Sequence, residues 1–406
     1  MTLREALATI GFEPMTENFP QGWADAPFIP TADDLVLEEH AVRRNAQFCS
    51  LPPDVTEKMV AAAGTAVAEP ALYLIARAVF RAIFLSAPEA PVCWAWQPLD
   101  SALKDQAGAL YLAIAAGWVP LMLRHHQKLG ISEDVTRDTC YQLRCYCDNY
   151  FTGCGRIGIY PKQLSWMHNY FNPERPYVRL GRFEYCYRIH CYDGHVFRHR
   201  KTGETVFFAI PGMQFDAAGF AVESKPDSPE RAFASIYESN GVTATGNRVD
   251  DCGKTSPEPF TITLADYDVV LEMGMPVLDM HIPNGGGMTP DEAERSFRKA
   301  KEFFLKLYPE KEKQPVAIVC SSWIFNPNLP EILNPEANLV RLLKRVHPVP
   351  RPSSNTDGLW FIFRHEGAFE LLKAPRKTSL QRAVTHFIER GGRWRIGGMV
   401  LPFFEI

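Results

Sequence analysis

The spacing of apolar residues changes near residue 180, from helical recurrence upstream to strict alternation downstream. Upstream, the segments Val55 to Ala63, Ala71 to Leu85, Ala102 to Leu123 and Ser132 to Tyr150 combine helix-favouring residues with apolar positions three and four apart, which predicts a bundle of helices. Prolines at Pro52-Pro53, Pro88 to Pro91 and Pro98 separate the segments, and Gly130 with Ser132 ahead of Glu133 and Asp134 reads as a helix stop followed by a new start. From Gly153 to Leu180 the pattern is irregular, with Tyr160, Trp166, Tyr170, Phe171 and Tyr177 set among Pro161, Pro173 and Pro176. A domain junction fits there, its aromatics either packed together or lining an acceptor pocket.

From Phe183 the period is two. Phe183 to Tyr192, His195 to His199 and Thr205 to Ile210 are rich in aromatic and β-branched residues, with turn signals at Asp193-Gly194 and Thr202-Gly203, so an antiparallel meander is expected. Glu223 to Pro257 is polar and reads as loop, with a short helix over Pro229 to Glu238. No internal repeat is present. The expected organisation is α+β: a helical domain over 1–175, then a mixed-sheet domain with helices on both faces over 176–406.

Val277 to Phe325 carries the strongest local signal: a short strand, the loop Asn284-Gly285-Gly286-Gly287-Met288, an amphipathic helix and a second strand. Thr289, Pro290 and Glu292 form a capping box with proline at the first helical position. Ala293, Phe297, Ala300, Phe304 and Leu307 lie along one helix face, which predicts packing on a sheet with parallel flanking strands. Ligands of such units sit at the carboxyl ends of the strands. Glycines there leave amides free to turn toward an anion, although Asp291 and Glu292 must then point away. Alternation puts Val277, Asp279 and His281 on one strand face. A histidine beside a carboxylate at a strand end suits proton transfer near neutral pH. Arg295, Arg298, Lys299, Lys301 and Lys306, with Arg341, Lys344 and Arg345 on a following helix over Pro335 to Val346, are solvated or meet a nucleotide 3′-phosphate.

Composition narrows the options. The 406-residue chain has 46% hydrophobic and 22% charged residues and a formal charge of -4, which fits a two-domain globular protein and disfavours nucleic acid as a partner. Its ten cysteines, Cys140, Cys145, Cys147 and Cys154 among them, lack a paired C-x2-C unit. Reduced thiols and no metal site are expected. The start lacks a secretory pattern, and the apolar run Ala107 to Leu123 contains Pro120, so a buried helix, no membrane partner and a cytoplasmic location are expected.

The motifs LGRFEYC at 180–186, MHIPNGGGMTPDEAERSFRKAKEFF at 280–304, CSSWIFNP at 320–327 and ANLVRLLKR at 337–345 resemble a bacterial family of two-domain acyltransferases. That family joins a helical N-acyltransferase amino-terminal domain to a GNAT-like carboxy-terminal domain. The resemblance implies acetyl-CoA or another acyl-CoA as cosubstrate, a small-molecule or peptide amine as acceptor, and direct transfer. It further implies that Met280, Ile282, Asn284, Gly285, Gly286, Gly287, Met288, Ser296, Ser321 and Asn338 hold the cofactor. The catalytic set is His281 as general base, supported by Asp279, and Ser322 as hydrogen-bond donor, while Arg182, Glu184 and Trp323 face the acceptor. Arg182 and Glu184 equally suit an ion pair between domains. The loop departs from the wider superfamily's Arg/Gln-x-x-Gly-x-Gly/Ala pattern. Three rival readings stay open: a catalytically idle CoA-binding module, a hydrolase using Ser322, His281 and Asp279, and a dinucleotide site at the glycines. The last lacks G-x-G-x-x-G spacing, and no G-x-S-x-G elbow precedes Ser322.

Overall fold

The computed structural model describes residues 1–12, 22, 25–85, 98–172, 175–191, 194–223, 231–285, 287–354, 356–364 and 369–406. Expectations at Pro88 to Pro91, Cys93, Pro173, Tyr192, Asp193, Pro229 and Gly286 lie outside the described residues. The chain divides into two compact units, Met1–Leu180 with Pro283–Gly285, and Gly181–Ile282 with Gly286–Ile406.

The first unit is built from α1 (Leu3–Thr9), α2 (Glu39–Phe48), α3 (Pro53–Ala68), α4 (Pro70–Phe84), α5 (Pro98–Leu103), α6 (Ala107–Ala116), α7 (Val119–Lys128), α8 (Glu133–Cys140), α9 (Gln142–Cys154), α10 (Pro161–Trp166) and the short strand β1 (Tyr177–Leu180). Every residue of α6 is buried, because the helix is apolar all round, and α2, α3, α4, α9 and α10 pack about it. Backbone meets backbone at Gly108 and Gly158, where a Cβ on Gly158 would stand 2.7 Å from the Gly108 Cα. The segment expected as one helix over Ala102 to Leu123 breaks at Gly117-Trp118, ahead of Pro120 in the first turn of α7. Lys104–Lys128 is long and apolar enough to cross a membrane, but 72% of that window is buried inside the protein. Helices α3 and α4 pass the same test only as a pair bent by 116°. The aromatics after Gly153 pack within this unit: Trp118 meets Tyr170 edge-on at 5.0 Å, Tyr170 meets Tyr177 at 4.2 Å and Tyr150 meets Tyr160 at 4.9 Å.

The second unit contains β2 (Phe183–Ile189), β3 (His195–His199), β4 (Thr205–Phe208), β5 (Gln214–Phe215), β6 (Phe233–Ala234), β7 (Tyr237–Ser239), β8 (Thr243–Val249), β9 (Thr255–Thr263), β10 (Tyr267–Leu271), β11 (Pro276–His281), α11 (Pro290–Leu307), β12 (Ala317–Ser322), α12 (Leu329–Ile332), α13 (Asn338–Arg345), β13 (His347–Val349), α14 (Leu359–Phe363), α15 (Ser379–Glu389) and β14 (Gly397–Pro402). One sheet runs β2-β11-β12-β14-β13, a second runs β10-β3-β4-β8-β7 with β9 on β8, and β5 pairs β6. The class is α+β.

Two local expectations are overturned. β2 does not continue into a meander with β3 but pairs antiparallel with β11, while β3 and β4 form a hairpin in the other sheet. The polar stretch 231–257 is strand and not loop or helix: β6, β7, β8 and the start of β9 lie there. Glu238, Ser239, Thr245 and Arg248 are exposed or half-exposed on this sheet, whereas Ser235, Asn247 and Thr255 are buried, so much of the polarity reports a wet face and not irregular backbone.

Helix α11 covers one face of the first sheet, with Phe183 stacked on Phe297 at 5.6 Å and Tyr187 against Tyr308 at 4.4 Å. On the opposite face the first sheet also meets the second sheet. Val277, Val319, Val349 and Val400 share a buried cluster with Val196, Phe207, Val249 and Leu271. Alternating strands with one wet face can close such a two-sheet core without further helices.

Candidate active site

β11 and β12 run parallel, as the strand-helix-strand pattern predicts, with Leu278 beside Ile318 and Asp279 beside Val319. The register between them ends there. Each strand continues with its outer neighbour, β11 to His281 opposite Glu184 and β12 to Ser322 opposite Gly397. The two central strands therefore part toward their carboxyl ends, leaving a wedge bordered by Met280–Ile282 on one side and 320–322 on the other. The turn after β12 closes against β14 at Gly397, where a Cβ would meet the Phe325 carbonyl oxygen at 1.9 Å, so only glycine fits.

Helix α11 follows the wedge. Its capping box is formed on both sides: the Glu292 backbone N–H donates to Thr289 Oγ1 at 3.3 Å, and the Thr289 N–H donates to Glu292 Oε2 at 3.1 Å. These bonds hold the Glu292 carboxyl below its usual range. Glu292 thus folds back over the helix start and does not point away from it, so any phosphate must sit to the side of the first turn. Gly285 has a φ of 119°, and a Cβ on Gly287 would lie 3.9 Å from Asn338 Nδ2 at the start of α13. α11 and α13 are packed neighbours. Arg295, Arg298, Lys299, Arg341 and Lys344 are exposed on them, whereas Lys301 donates to the Phe403 and Ile406 carbonyls and Arg345 pairs with Glu294. Lys301 and Arg345 therefore serve the fold.

Pairing sorts the remaining residues by face. Glu184, Cys186 and Arg188 of β2 share a face with Val277, Asp279 and His281 of β11 and with Val319 and Ser321 of β12. Asp279 accepts from Arg188 Nε at 3.1 Å, with both side chains largely buried. Burial lowers the His281 pKa, the Asp279 charge draws it back up, and the Arg188 charge lowers it again. Ser321 is exposed at the strand end. Ser322 belongs to the other face, and its Oγ accepts the Ile324 N–H at 3.3 Å as the cap of a helical turn. The sequence reading makes Ser322 the hydrogen-bond donor and Ser321 a cofactor residue; alternation turns Ser321, not Ser322, to the face of His281. Ser296 is fully buried; its Oγ accepts the Phe183 N–H at 3.1 Å and bonds the Tyr185 hydroxyl at 2.9 Å. It pins α11 to the sheet and does not reach a ligand. Trp323 packs its Cβ against Gly358, a glycine with φ of 77°. Arg182 is half-buried near the Phe183 ring, Glu184 is 1% exposed, and Met280 is buried under the sheet with only its backbone at the wedge. Arg188 escaped the sequence reading because its partner is 91 residues away and only the register reveals it.

Among the described residues no group of three His, Cys, Asp or Glu side chains is arranged to hold a metal, and the cysteines described are free thiols.

A helical unit followed by a mixed sheet with parting parallel strands defines the acyltransferase class. The GNAT-like C-terminal domain matches residues 177–401 and the N-acyltransferase N-terminal domain matches residues 42–172. The chain belongs to the family of acyltransferases that those two domains define. Three solved acyltransferase structures share its fold over 99% of both chains at 18% identity. One is in complex with CoA and 10C-teicoplanin (TM-score 0.62), one with decanoyl-CoA and teicoplanin (0.60), and one is a mutant with octanoyl-CoA (0.60). No curated protein matches the sequence.

Proposed function

We propose that this acyltransferase moves an acyl group from acyl-CoA to an amine of a small molecule or peptide by direct transfer. The observation that carries the reading is the end of the β11:β12 register at Asp279 and Val319 while both outer ladders continue. The edge of β11 that faces β12 beyond Asp279 is then the place for the amide arm of pantetheine to pair, with one main-chain N–H at the wedge directed to an oxyanion on the thioester carbon. Gly287 and Asn338 border the path to the pyrophosphate, and the exposed Arg295, Arg298, Lys299, Arg341 and Lys344 suit the 3′-phosphate.

His281 takes the acceptor proton, because it stands at the strand end on the face that carries Ser321, and burial keeps its imidazole neutral near pH 7. Ser321 supplies a hydroxyl on the same side. A hydrolase built on Ser322, His281 and Asp279 is disfavoured by alternation, which sends Ser322 to the opposite face from the other two. The acyl chain is open between acetyl, the sequence-based expectation, and the medium chains of similar structures that hold octanoyl-CoA and decanoyl-CoA; the latter favour a medium chain. The structures that hold teicoplanin or its 10C form support a small-molecule or peptide acceptor. We place the reaction in the cytoplasm, where thiols remain reduced.

Thiol release from acetyl-, octanoyl- and decanoyl-CoA, measured with a panel of primary amines, tests the proposal. Amine-dependent release with one donor supports it. Binding of all three by calorimetry without release makes the chain an idle CoA-binding module, and a trapped acyl-serine makes it a hydrolase.

A further inference from the structure

We propose that the exposed basic face of α11 and α13 docks an acidic carrier protein that bears its acyl thioester on a 4′-phosphopantetheine arm, making such a protein a donor alongside acyl-CoA. This rests on the reading of the β11:β12 wedge as the seat of the thioester.

Arg295, Arg298, Lys299 and Lys306 of α11 and Arg341 and Lys344 of α13 are exposed. Among the described residues none of these side chains forms an ion pair or a hydrogen bond; Arg295 draws the Glu292 carboxyl down through space only. Their basic neighbours are tied down, Lys301 by the Phe403 and Ile406 carbonyls and Arg345 by Glu294. At about 100° per residue the four cations of α11 point within about 60° of one direction, and at about 1.5 Å per residue they extend over about 16 Å. Asp291 and Glu302 on α11 and Glu336 ahead of α13 are exposed carboxylates nearby, too few to cancel the strip. The whole chain carries a charge of -4, so this face runs against the overall sign.

The strip starts beside the path to the pyrophosphate. A Cβ on Gly287 would stand 3.9 Å from Asn338 Nδ2 at the first residue of α13, and α13 packs on α11. A nucleotide 3′-phosphate is one compact anion, able to accept from two or three of these side chains. It leaves the far end of the strip, at Lys306, without a task. A 4′-phosphopantetheine arm brings one phosphate to the same turn and puts a protein surface where the nucleotide would be. A surface rich in carboxylates matches a basic strip of this length, and such complementarity speeds encounter and fixes orientation.

The transfer itself is unchanged. The acceptor nitrogen bonds to the thioester carbon, the C–S bond breaks, and the proton lost by nitrogen ends on the pantetheine sulfur. An amide and a free thiol on the carrier result, with no further reactant.

Octanoyl groups carried by a bacterial acyl carrier protein, by CoA and by free pantetheine are compared as donors to one amine, using the full chain. The carrier-protein donor should exceed octanoyl-pantetheine in kcat/KM by about tenfold or more at low salt, and that advantage should shrink as salt rises through about 0.3 M. Lys306→Glu should lower kcat/KM for the carrier-protein donor by about threefold or more and leave both small donors unchanged. A carrier-protein donor no faster than octanoyl-pantetheine, or a Lys306→Glu variant that treats all three donors as wild type does, overturns the proposal. Calorimetry with the unacylated carrier protein is an arm that needs no catalysis: it should bind, and more weakly to Lys306→Glu. Such binding without turnover of any donor removes the acyl-transfer reading and leaves the docking surface standing. Turnover of the small donors with no binding of the carrier protein does the reverse. Sedimentation with phosphatidylglycerol vesicles, when the carrier protein does not bind, overturns the proposal in favour of an anionic membrane.

Discussion

Arg188 reaches across from β2 to the Asp279 carboxylate on β11 and makes a largely buried ion pair at 3.1 Å. Removing one partner of such a pair leaves a charge without compensation inside the protein, which costs about 3–5 kcal/mol. Asp279→Asn should therefore lose stability near the lower end of that range, because Asp279 keeps some exposure. A urea melt with an unchanged slope and a lower midpoint is the expected result. A midpoint equal to wild type would mean that the pair contributes nothing.

Ser296 satisfies two buried groups of the sheet, the Phe183 N–H and the Tyr185 hydroxyl. Ser296→Ala strands both and should cost about 1–3 kcal/mol. Because the hydroxyl is sealed beneath α11, acyl-CoA affinity at saturating protein stability should hardly change. A large rise in the acyl-CoA dissociation constant with an unchanged melting temperature would refute this division of roles.

Gly397 has no room for a methyl group beside the Phe325 carbonyl. Gly397→Ala must push the turn after β12 away from β14, at a cost of about 3 kcal/mol or more for an overpacked site. Ser321 and Ser322 end β12 just before this turn, so thiol release should fall along with the melting temperature. Retention of both in the purified variant would show that the turn yields freely.

Acid should begin to destabilise the fold near pH 6.5, above the usual carboxylate range. Burial lowers His126, His190 and His195 each from 6.5 to about 4. Their folded values lie below their unfolded ones, so the unfolded chain takes up protons first as the pH drops. The stability they contribute is complete above about 6.5 and is lost as pH falls through the folded values near 4. Melting temperatures taken between pH 7.5 and pH 4.5 should be level at first and then decline below about pH 6.5. A level profile down to pH 5 would contradict the burial of these rings.

Much of the fold was legible in the sequence because the signals were local. The capping box at Thr289, the proline after it and the apolar face of α11 depend on neighbours a few residues apart, and so does the run of buried residues in α6. The swap of Ser321 and Ser322, the ion pair of Asp279 with Arg188 and the sealing of Ser296 depend instead on strand register and on what lies above each face. Those are set by residues separated by 40 or more positions along the chain, such as Asp279 beside Val319, and by 91 and 113 positions for the ion pair and for Ser296. The polar strands β7 and β8 were missed for a related reason: solvent on one side of a sheet permits the composition of a loop.

The gap between β11 and β12 is framed by the ends of two hydrogen-bond ladders, and few of its boundaries are side chains. Amino-acid replacement can thus alter what the mouth prefers without closing it. Donor choice and acceptor choice are free to diverge among descendants of one scaffold, while the slot proposed for the thioester persists as a property of the main chain.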